Sequence, residues 1–274
     1  MQVKRMLRSV RLFPFLVLAA VTGGCSLGYY SDLPDATGEN PRDHLDLIVR
    51  HHELREAQRA GQADKHGDYF SADNVQGIIQ DEDDTLYITF FGSDGPYDLF
   101  DDTLYVLEPV PFDGISDGEK VHAAFLSHYL LIRTDVTDAV DDFLDGSGGG
   151  DGASGEKQVV SAGHSMGAAT AVLCALDLTL RYPDIDISCF PSGSPKIGNK
   201  KFAETFDRLV PDCHRYVNGD DIVARLPGDS GEFVHVGEYH HIGPGPSAVR
   251  AALGLGITDH FISAYAASVE AGLY

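Results

Sequence analysis

The segment from Lys157 to Thr170 constrains the fold of this chain more than any other part of the sequence. Two valines after charged and polar residues predict a short buried strand, and a G-x-S-x-G sequence follows from Gly163 to Gly167. The next residues are rich in Ala and Leu, which is typical of a buried helix. Ser165 is therefore predicted to lie on a sharp turn between a strand and a helix, where flanking glycines allow close approach.

This predicted turn has two chemical consequences. The Ser165 hydroxyl would be held at the end of a strand, open to a substrate carbonyl group. The backbone N–H of Met166 would lie at a helix N-terminus, where N–H groups lack helical partners and the helix dipole favours negative charge. Ser165 is thus a candidate nucleophile and Met166 a candidate oxyanion donor, whereas the alternative interpretation is a tight turn without chemistry.

Strands and helices alternate along most of the chain, which predicts an α/β fold with a mostly parallel central sheet and helices on both faces. Further strands are expected at 75–80, 85–91, 103–107, 185–190, 214–218 and 233–242, and helices at 41–61, 120–143, 168–180, 199–209 and 258–270. His51 and His52 are expected on the helix surface, and 146–155 as a glycine-rich surface loop.

The first 24 residues are predicted to be a signal peptide and not part of the fold. Four basic residues precede the apolar run 12–21, which is too short to span a bilayer. Gly23-Gly24-Cys25 resembles a bacterial lipobox, so Cys25 would become a lipidated N-terminus, and cleavage nearby without lipid is the alternative. Residues 25–40 would form a tether and 41–274 a single domain, secreted or anchored at the outer membrane or cell surface.

The composition argues against several kinds of partner and site. The formal net charge is −22, so a surface that binds nucleic acid or anionic lipid is not expected. Cys174, Cys189 and Cys213 remain after the signal peptide, without a C-x-x-C motif. Buried free thiols are expected, and a single intramolecular disulfide is the alternative. We expect no cofactor and no metal ligand set, and the sequence carries no signal for an oligomeric state.

A serine nucleophile needs a general base and an acid that orients the base. On a scaffold of this kind the three residues follow in the order Ser, Asp, His. The acid candidates after Ser165 are Asp220 and Asp221, and the base candidates are His235, His240, His241 and His260. His260 is expected at the start of the last helix, where its ring could reach back over the sheet edge.

Several blocks between about 75 and 265 together resemble the class 3 (fungal-type) lipase family. They are Phe90-Phe-Gly-Ser93, Val121-His-Ala-Ala-Phe-Leu126, Gly163-His-Ser-Met-Gly167, Gly193-Ser-Pro-Lys-Ile-Gly-Asn199, Val217-Asn-Gly-Asp-Asp-Ile-Val-Ala-Arg-Leu-Pro227 and Asp259-His-Phe-Ile-Ser-Ala-Tyr265. The resemblance implies an α/β-hydrolase fold with Ser165 as nucleophile, Asp221 as orienting acid and His260 as general base. It also implies that the N–H groups of Ser93 and Met166 bind the oxyanion.

The chain departs from the family pattern near the predicted oxyanion block and lid. Phe91 stands where the family usually has Arg, Ala224 replaces a Pro of the acid block, and the chain has no Trp. The expected lid consists of Asp94, Gly95, Pro96, Tyr97, Asp98, Leu99, Phe100, Asp101 and Asp102. Because its few apolar side chains lie among aspartates, we expect a lid with little interfacial activation.

These observations favour a serine carboxylic ester hydrolase, most simply a lipase that acts on acylglycerols through an acyl-enzyme. An esterase for soluble or aryl esters, such as feruloyl esters, is the alternative that the weakly apolar lid segment favours. A non-catalytic surface lipoprotein is a more remote alternative, because the chain has a complete Ser, Asp and His set.

Overall fold

The computed structural model describes residues 44–82, 84–92, 106–146, 156–228, 231–245, 247, 254 and 256–274. The strands are β1 (Asp68–Ala72), β2 (Val75–Glu82), β3 (Thr85–Phe91), β4 (Leu107–Pro109), β5 (Lys120–His122), β6 (Gln158–His164), β7 (Asp186–Ser192), β8 (His214–Asn218) and β9 (Glu238–Ile242). The helices are α1 (Leu45–Arg59), α2 (Ala123–Asp145), α3 (Met166–Arg181), α4 (Lys200–Leu209), α5 (Gly256–Asp259) and α6 (Ile262–Glu270), with short 3₁₀ turns at Ala63–Lys65 and Val223–Arg225.

The main sheet has seven strands within the described ranges, in the order β1-β2-β3-β6-β7-β8-β9. The first three strands are antiparallel neighbours. From β3 to β9 every neighbouring pair is parallel. A separate ribbon pairs β4 with β5. The predicted α/β architecture with a mostly parallel central sheet is therefore confirmed.

Successive side chains along a strand point to opposite faces of the sheet. In this sheet both faces carry apolar side chains, and helices cover both. Val159 of β6 belongs to the larger core, together with side chains of α2, α3 and α4. Its neighbour Val160 belongs to a second core on the other face, where α1 and α6 contribute Leu45, Ile48 and Tyr265. Side chains of α3 are buried along most of its length, as its Ala- and Leu-rich sequence predicts.

One buried charge on α3 has a complete set of partners. Both carboxylate oxygens of Asp177 accept hydrogen bonds of 2.7 Å from the guanidinium of Arg133 on α2. The Tyr129 hydroxyl donates a third bond of 2.7 Å. Because a buried carboxylate is costly unless it is paired and hydrogen-bonded, this cluster fixes how α2 packs on α3.

The structure differs from the predicted elements in five places. Residues 103–105 of the predicted strand 103–107 lie outside the described residues, and the strand that follows, β4, begins only at Leu107. Strand β1 was not predicted. The first three residues of the predicted helix 120–143 instead form β5, and the His122 ring accepts a hydrogen bond of 3.2 Å from the Ala124 N–H at the helix start. Only Glu238–Ile242 of the predicted strand 233–242 is extended. The predicted last helix is broken into α5 and α6, with His260 between them.

The expectation that His51 lies on the surface was wrong. His51 is buried on the inner face of α1 and its ring packs edge-on against Phe91, with 5.6 Å between ring centroids. The helical spacing was correct, but it did not reveal which face of α1 meets the sheet. Among the described residues, no helix has both the length and the apolar character that crossing a membrane requires.

Candidate active site

The site lies where the parallel strands end, because each strand leads directly into a segment that contributes to it. Gly92 follows β3, Ser165 follows β6, Gly193 follows β7, and Asp221 comes soon after β8. A Cβ atom on Gly193, which has φ +58°, would lie 3.0 Å from Oδ2 of Asp221 and 3.1 Å from the Tyr265 hydroxyl. A glycine at this position therefore leaves room for the polar groups that meet there.

Ser165 occupies the predicted turn between β6 and α3 in a strained backbone conformation, with φ +60° and ψ −124°. A positive φ in a residue other than glycine costs on the order of 1–3 kcal/mol and is found mainly at functional sites. A Cβ on Gly163 would lie 2.2 Å from the Gly167 carbonyl oxygen, and a Cβ on Gly167 would lie 2.3 Å from the Phe90 carbonyl oxygen. Gly163 therefore allows α3 to approach the end of β6, and Gly167 allows the turn to pack against β3.

The structure brings Ser165, His260 and Asp221 into one hydrogen-bonded chain. Nε2 of His260 lies 2.8 Å from Oγ of Ser165, and Nδ1 of His260 lies 2.9 Å from Oδ2 of Asp221. A carboxylate only accepts hydrogen bonds, so the ring proton lies on Nδ1 and the Nε2 lone pair faces the serine hydroxyl. All three residues are buried.

The carboxylate of Asp221 accepts two further hydrogen bonds. The Tyr265 hydroxyl on α6 donates to Oδ2 over 2.6 Å, and the backbone N–H of Val223 donates to Oδ1 over 2.8 Å. Burial, followed by the nearby charge of Asp221, raises the pKa of Tyr265 well above its ordinary value, so its hydroxyl remains a donor. These donors hold the carboxylate in one orientation beneath the histidine.

Asp220, the other acid candidate, makes different contacts. Its carboxylate accepts a hydrogen bond of 3.1 Å from Arg225 and one of 3.2 Å from the Ser247 N–H. Its own N–H donates to the Asp259 carboxylate over 2.9 Å. The structure therefore brings Asp221, and not Asp220, to His260.

The three remaining base candidates make contacts away from the serine. The ring of His235 lies 2.8 Å from the Ala224 carbonyl oxygen, and that of His241 lies 3.2 Å from the Gly219 carbonyl oxygen. Nε2 of His240 lies 2.9 Å from Nδ1 of His214. Of the four candidate histidines, His260 is the one that the structure brings to Ser165.

His164 is a residue of this site for which the sequence predicted no role. Its ring stacks on the His260 ring, with 4.8 Å between centroids and 29° between planes, and its Nδ1 lies 3.2 Å from the Ser192 hydroxyl. Burial, followed by the charge of His260, lowers the pKa of His164 well below its ordinary value. His164 therefore stays neutral beside the His260 ring. The position of His164 directly before Ser165 is the sequence feature that could have indicated its place in the site.

Arg55 of α1 fixes the strand end that passes over Ser165. Its guanidinium donates a 3.0 Å hydrogen bond to the Gly92 carbonyl oxygen and lies 5.2 Å above the Phe91 ring. A Cβ on Gly92 would lie 2.9 Å from Cβ of Ser165, so this segment packs directly on the serine. Phe91 stands where the family usually has Arg. In this chain Arg55 of α1 brings a guanidinium to the same strand end. Because Arg55 is distant in sequence, the local motif does not reveal this contact.

Several predicted features lie outside the described residues. Among the site residues they are the oxyanion residue Ser93, the lid segment 94–102 and the lipid-anchor residue Cys25. The predicted signal peptide 1–24, the tether 25–40 and all but the first residue of the glycine-rich loop 146–155 lie outside them as well. Met166, the other predicted oxyanion residue, is the first residue of α3 and is buried. The three described cysteines are free and buried, as expected.

A model of the class 3 lipase family matches residues 87–231, which is more than half of the chain. The chain belongs to the class 3 lipase family. The match spans the Ser165 turn and the Asp221 segment, and it confirms the resemblance seen in the sequence blocks.

Known lipases are similar to this chain in both sequence and fold. The lipase of Rhizomucor miehei is 34% identical over 166 residues, which cover 59% of this chain and 43% of that protein. A secreted mono- and diacylglycerol lipase of Malassezia globosa is 34% identical over 131 residues, which cover 47% of this chain and 41% of that protein. This chain thus spans less than half the length of these relatives.

Solved structures agree with this assignment of the fold. A Rhizomucor miehei lipase in a propeptide complex superposes with a TM-score of 0.61 at 25% identity, covering 77% of this chain and 69% of that one. A triacylglycerol lipase whose catalytic centre is a serine protease triad also has a TM-score of 0.61 at 25% identity, covering 76% and 82%. The predicted α/β-hydrolase fold of this chain is therefore confirmed.

Proposed function

We propose that this class 3 lipase hydrolyses carboxylic esters through an acyl-enzyme on Ser165. His260 acts as the general base, and Asp221 orients the base. The observation that carries the proposal is the chain of contacts from Oγ of Ser165 to Nε2 of His260 over 2.8 Å and from Nδ1 to Asp221 over 2.9 Å. This is the geometry that a serine needs to lose its proton as it attacks a carbonyl carbon.

The proposed reaction has two halves that use the same groups. In the first, His260 takes the hydroxyl proton, Oγ of Ser165 bonds to the carbonyl carbon, and the oxyanion accepts hydrogen bonds from the N–H groups of Met166 and Ser93. The imidazolium then gives its proton to the leaving alcohol, and the acyl group stays on the serine. In the second half, His260 activates a water that cleaves the acyl-enzyme and releases the acid and free Ser165.

The surroundings of His260 favour this proton transfer. The stacked His164 stays neutral, because burial and the charge of His260 lower its pKa. No second cation therefore forms beside the imidazolium, and the carboxylate of Asp221 is the charge that stabilises it. The Tyr265 hydroxyl and the Val223 N–H hold this carboxylate in position by hydrogen bonds. Both donors are uncharged, so they do not neutralise it.

A labelling experiment separates an enzyme from a binding protein with the same fold. A fluorescent phosphonate that reacts with activated serines should label the protein with one group per chain, and the Ser165→Ala variant should remain unlabelled. Ser127→Ala, which removes an exposed hydroxyl on α2, is the matched control and should label normally. An unlabelled parent protein, or a labelled Ser165→Ala variant, would contradict the proposal.

For the substrate, we propose acylglycerols, since one relative is a triacylglycerol lipase and another acts on mono- and diacylglycerols by name. Soluble or aryl esters are the second candidate, and it is the sequence of the lid segment that favours them. Asp94, Asp98, Asp101 and Asp102 prefer water, so little apolar surface would need a lipid interface when the lid opens.

A chain-length series of p-nitrophenyl esters, with and without emulsified triglyceride, distinguishes the two candidates. The rate of tributyrin hydrolysis across its solubility limit tests the lid. We expect a smooth hyperbola through the solubility limit, with hydrolysis of the dissolved ester already well developed. A jump of roughly tenfold or more when the emulsion forms would show that opening the lid depends on a lipid interface, and would contradict a weakly apolar lid.

We also propose that the protein is exported and that Cys25 carries a lipid anchor. The support is the basic and apolar start of the chain, its Gly23-Gly24-Cys25 sequence, and relatives described as secreted. Cys25→Ser should move the protein from the membrane fraction to the soluble fraction. Unchanged fractionation, or a mature N-terminus at another residue by mass spectrometry, would contradict the lipid anchor.

A further inference from the structure

Two histidines and a glutamate meet at the end of the sheet that lies away from Ser165. His214 is the first residue of β8, and Glu238 and His240 lie on the edge strand β9. The parallel register aligns His214 with Glu238 and Tyr216 with His240, so the side chains share one face of the sheet. The sequence predicted no metal ligand set, but the geometry points to a binding site for a zinc-like divalent transition metal ion at His214, Glu238 and His240.

The distances between the ligand atoms suit one small ion. Nδ1 of His214 lies 2.9 Å from Nε2 of His240 and 3.7 Å from Oε2 of Glu238, and all three atoms lie within 4.8 Å of one another. Two ligand atoms on a tetrahedral zinc ion lie about 3.3 Å apart, since each zinc–nitrogen bond is about 2.0–2.1 Å long. Shifts of a few tenths of an ångström would therefore bring these two distances to coordination geometry. The third pair, His240 and Glu238, lies within 4.8 Å, and the half-exposed Glu238 side chain has room to move toward the ion.

Asp212 sets the orientation that His214 needs as a ligand. Oδ1 of Asp212 lies 3.0 Å from Nε2 of His214. Because a carboxylate only accepts hydrogen bonds, Nε2 carries the ring proton and the Nδ1 lone pair points toward His240 and Glu238. A carboxylate behind a metal-binding histidine is the usual arrangement in protein metal sites, where it fixes the tautomer and strengthens the ligand.

Neighbouring rings hold both histidines in place. The His214 ring stacks on Phe190, with 9° between planes, and packs edge-on against His44 at the start of α1. The His240 ring stacks on Tyr216, with 5.1 Å between centroids. Since the rings are fixed by packing, little conformational freedom is lost when an ion binds.

The ligand types select the class of ion. Imidazole nitrogens suit zinc, copper and nickel, whereas magnesium and calcium prefer oxygen ligands alone. With three protein ligands a tetrahedral ion keeps a fourth position for water. The strongly negative net charge attracts every cation to the surface. A preference for zinc over magnesium is therefore what would distinguish a specific site from this general electrostatic attraction.

The bound ion would be structural, because the site joins β9 to β8 and lies away from the ester-hydrolysing groups. Within the described part of the chain, β9 is the last strand of the sheet and pairs with β8 alone. An ion held by Glu238 and His240 on β9 and by His214 on β8 ties this edge strand to the sheet. Binding should therefore raise the unfolding temperature.

The test uses the full chain after treatment with a chelator and removal of the chelator. Zinc chloride should bind with one ion per chain by isothermal titration calorimetry. At about 100-fold excess over Kd it should raise Tm by about 5–10 °C. Magnesium chloride at the same concentration should not reproduce this shift. No binding of zinc, or an equal Tm rise with magnesium, would overturn the proposal.

Two variants and one control locate the site. Glu238→Gln changes a half-exposed side chain and should fold normally, yet lose most of the zinc-dependent Tm rise. His240→Gln should lose it entirely. His66→Gln removes an exposed histidine elsewhere and should keep the full rise. A full rise in Glu238→Gln and in a folded His240→Gln would place the zinc at another site and overturn the assignment.

Discussion

Two histidine–carboxylate pairs lie at opposite ends of the parallel strands. At the carboxyl end, Nδ1 of His260 lies 2.9 Å from Asp221. At the other end, Nε2 of His214 lies 3.0 Å from Asp212. In each pair the carboxylate fixes one ring nitrogen as a donor and leaves a lone pair on the other.

The pairs differ in what the free nitrogen faces. Nε2 of His260 faces the Ser165 hydroxyl over 2.8 Å, and this contact can move a proton. Nδ1 of His214 faces the ring of His240 over 2.9 Å, with Glu238 nearby, and this arrangement can hold a cation. A histidine–carboxylate pair by itself therefore does not define a function, and the third group decides it.

The largest effect on catalysis is expected from replacing Ser165, whose hydroxyl faces Nε2 of His260. Ser165→Ala should lower kcat for ester hydrolysis by about 10⁴-fold or more, because the acyl-enzyme can no longer form. Circular dichroism should remain unchanged, and zinc binding should persist if the two ends are independent. A Ser165→Ala protein that retains a tenth of its activity would rule out this serine as the nucleophile.

The carboxylate of each histidine–carboxylate pair can be exchanged for an amide, with Asp220 as the neighbouring control. Asp221→Asn should lower kcat by roughly 10⁴-fold, since an amide favours the wrong tautomer of His260. Asp220→Asn should retain most of the activity, and Asp212→Asn should leave hydrolysis unchanged while weakening zinc binding by about 10–100-fold. If Asp220→Asn were inactive and Asp221→Asn nearly normal, the assignment of the acid would be wrong.

A smaller effect is expected from the hydroxyl that supports Asp221. Tyr265→Phe removes the 2.6 Å hydrogen bond to Oδ2 and keeps the packing of the ring. Hydrogen bonds to charged groups contribute about 1.5–3 kcal/mol, so kcat should fall by roughly 10- to 100-fold with little change in KM. A change confined to Tm, with kcat unaffected, would show that Tyr265 serves packing alone.

The buried histidines near the catalytic end should make stability depend on pH. The pKa of His51 is lowered from 6.5 to about 3, mainly by burial and secondly by the charge of Arg55. The unfolded chain therefore binds one more proton than the folded chain between these pH values. The free energy of unfolding should fall by about 1.4 kcal/mol per pH unit for this histidine as the pH drops below 6.5.

Urea unfolding at several pH values measures this slope. His51→Gln should reduce the slope by about one proton, whereas the control His66→Gln, which removes an exposed histidine, should leave it unchanged. An identical slope in His51→Gln and the parent protein would mean that His51 does not titrate differently on folding.

Features with a local physical cause could be predicted from the sequence. The strand, the G-x-S-x-G turn and the Ala-rich helix follow from short-range sterics and periodicity, and they placed Ser165 correctly on its turn. The family blocks indicated Asp221 and His260, and the alternation of elements predicted the α/β fold. The prediction was poorer at the start of α2 and around α5 and α6, where capping and tertiary packing override helical periodicity.

Contacts between distant parts of the chain were decided by the tertiary structure. The residues alone left both Asp220 and Asp221 open as the acid, and the family resemblance indicated Asp221. The contact itself, Asp221 with His260 and Asp220 with Arg225, is visible only in the folded loop. Likewise His51 is buried because α1 turns that face toward Phe91. The approach of His214 to Glu238 and His240 depends on the register of β8 against β9. A shift by one residue would turn these side chains to the other face, and no pattern within either strand fixes that register.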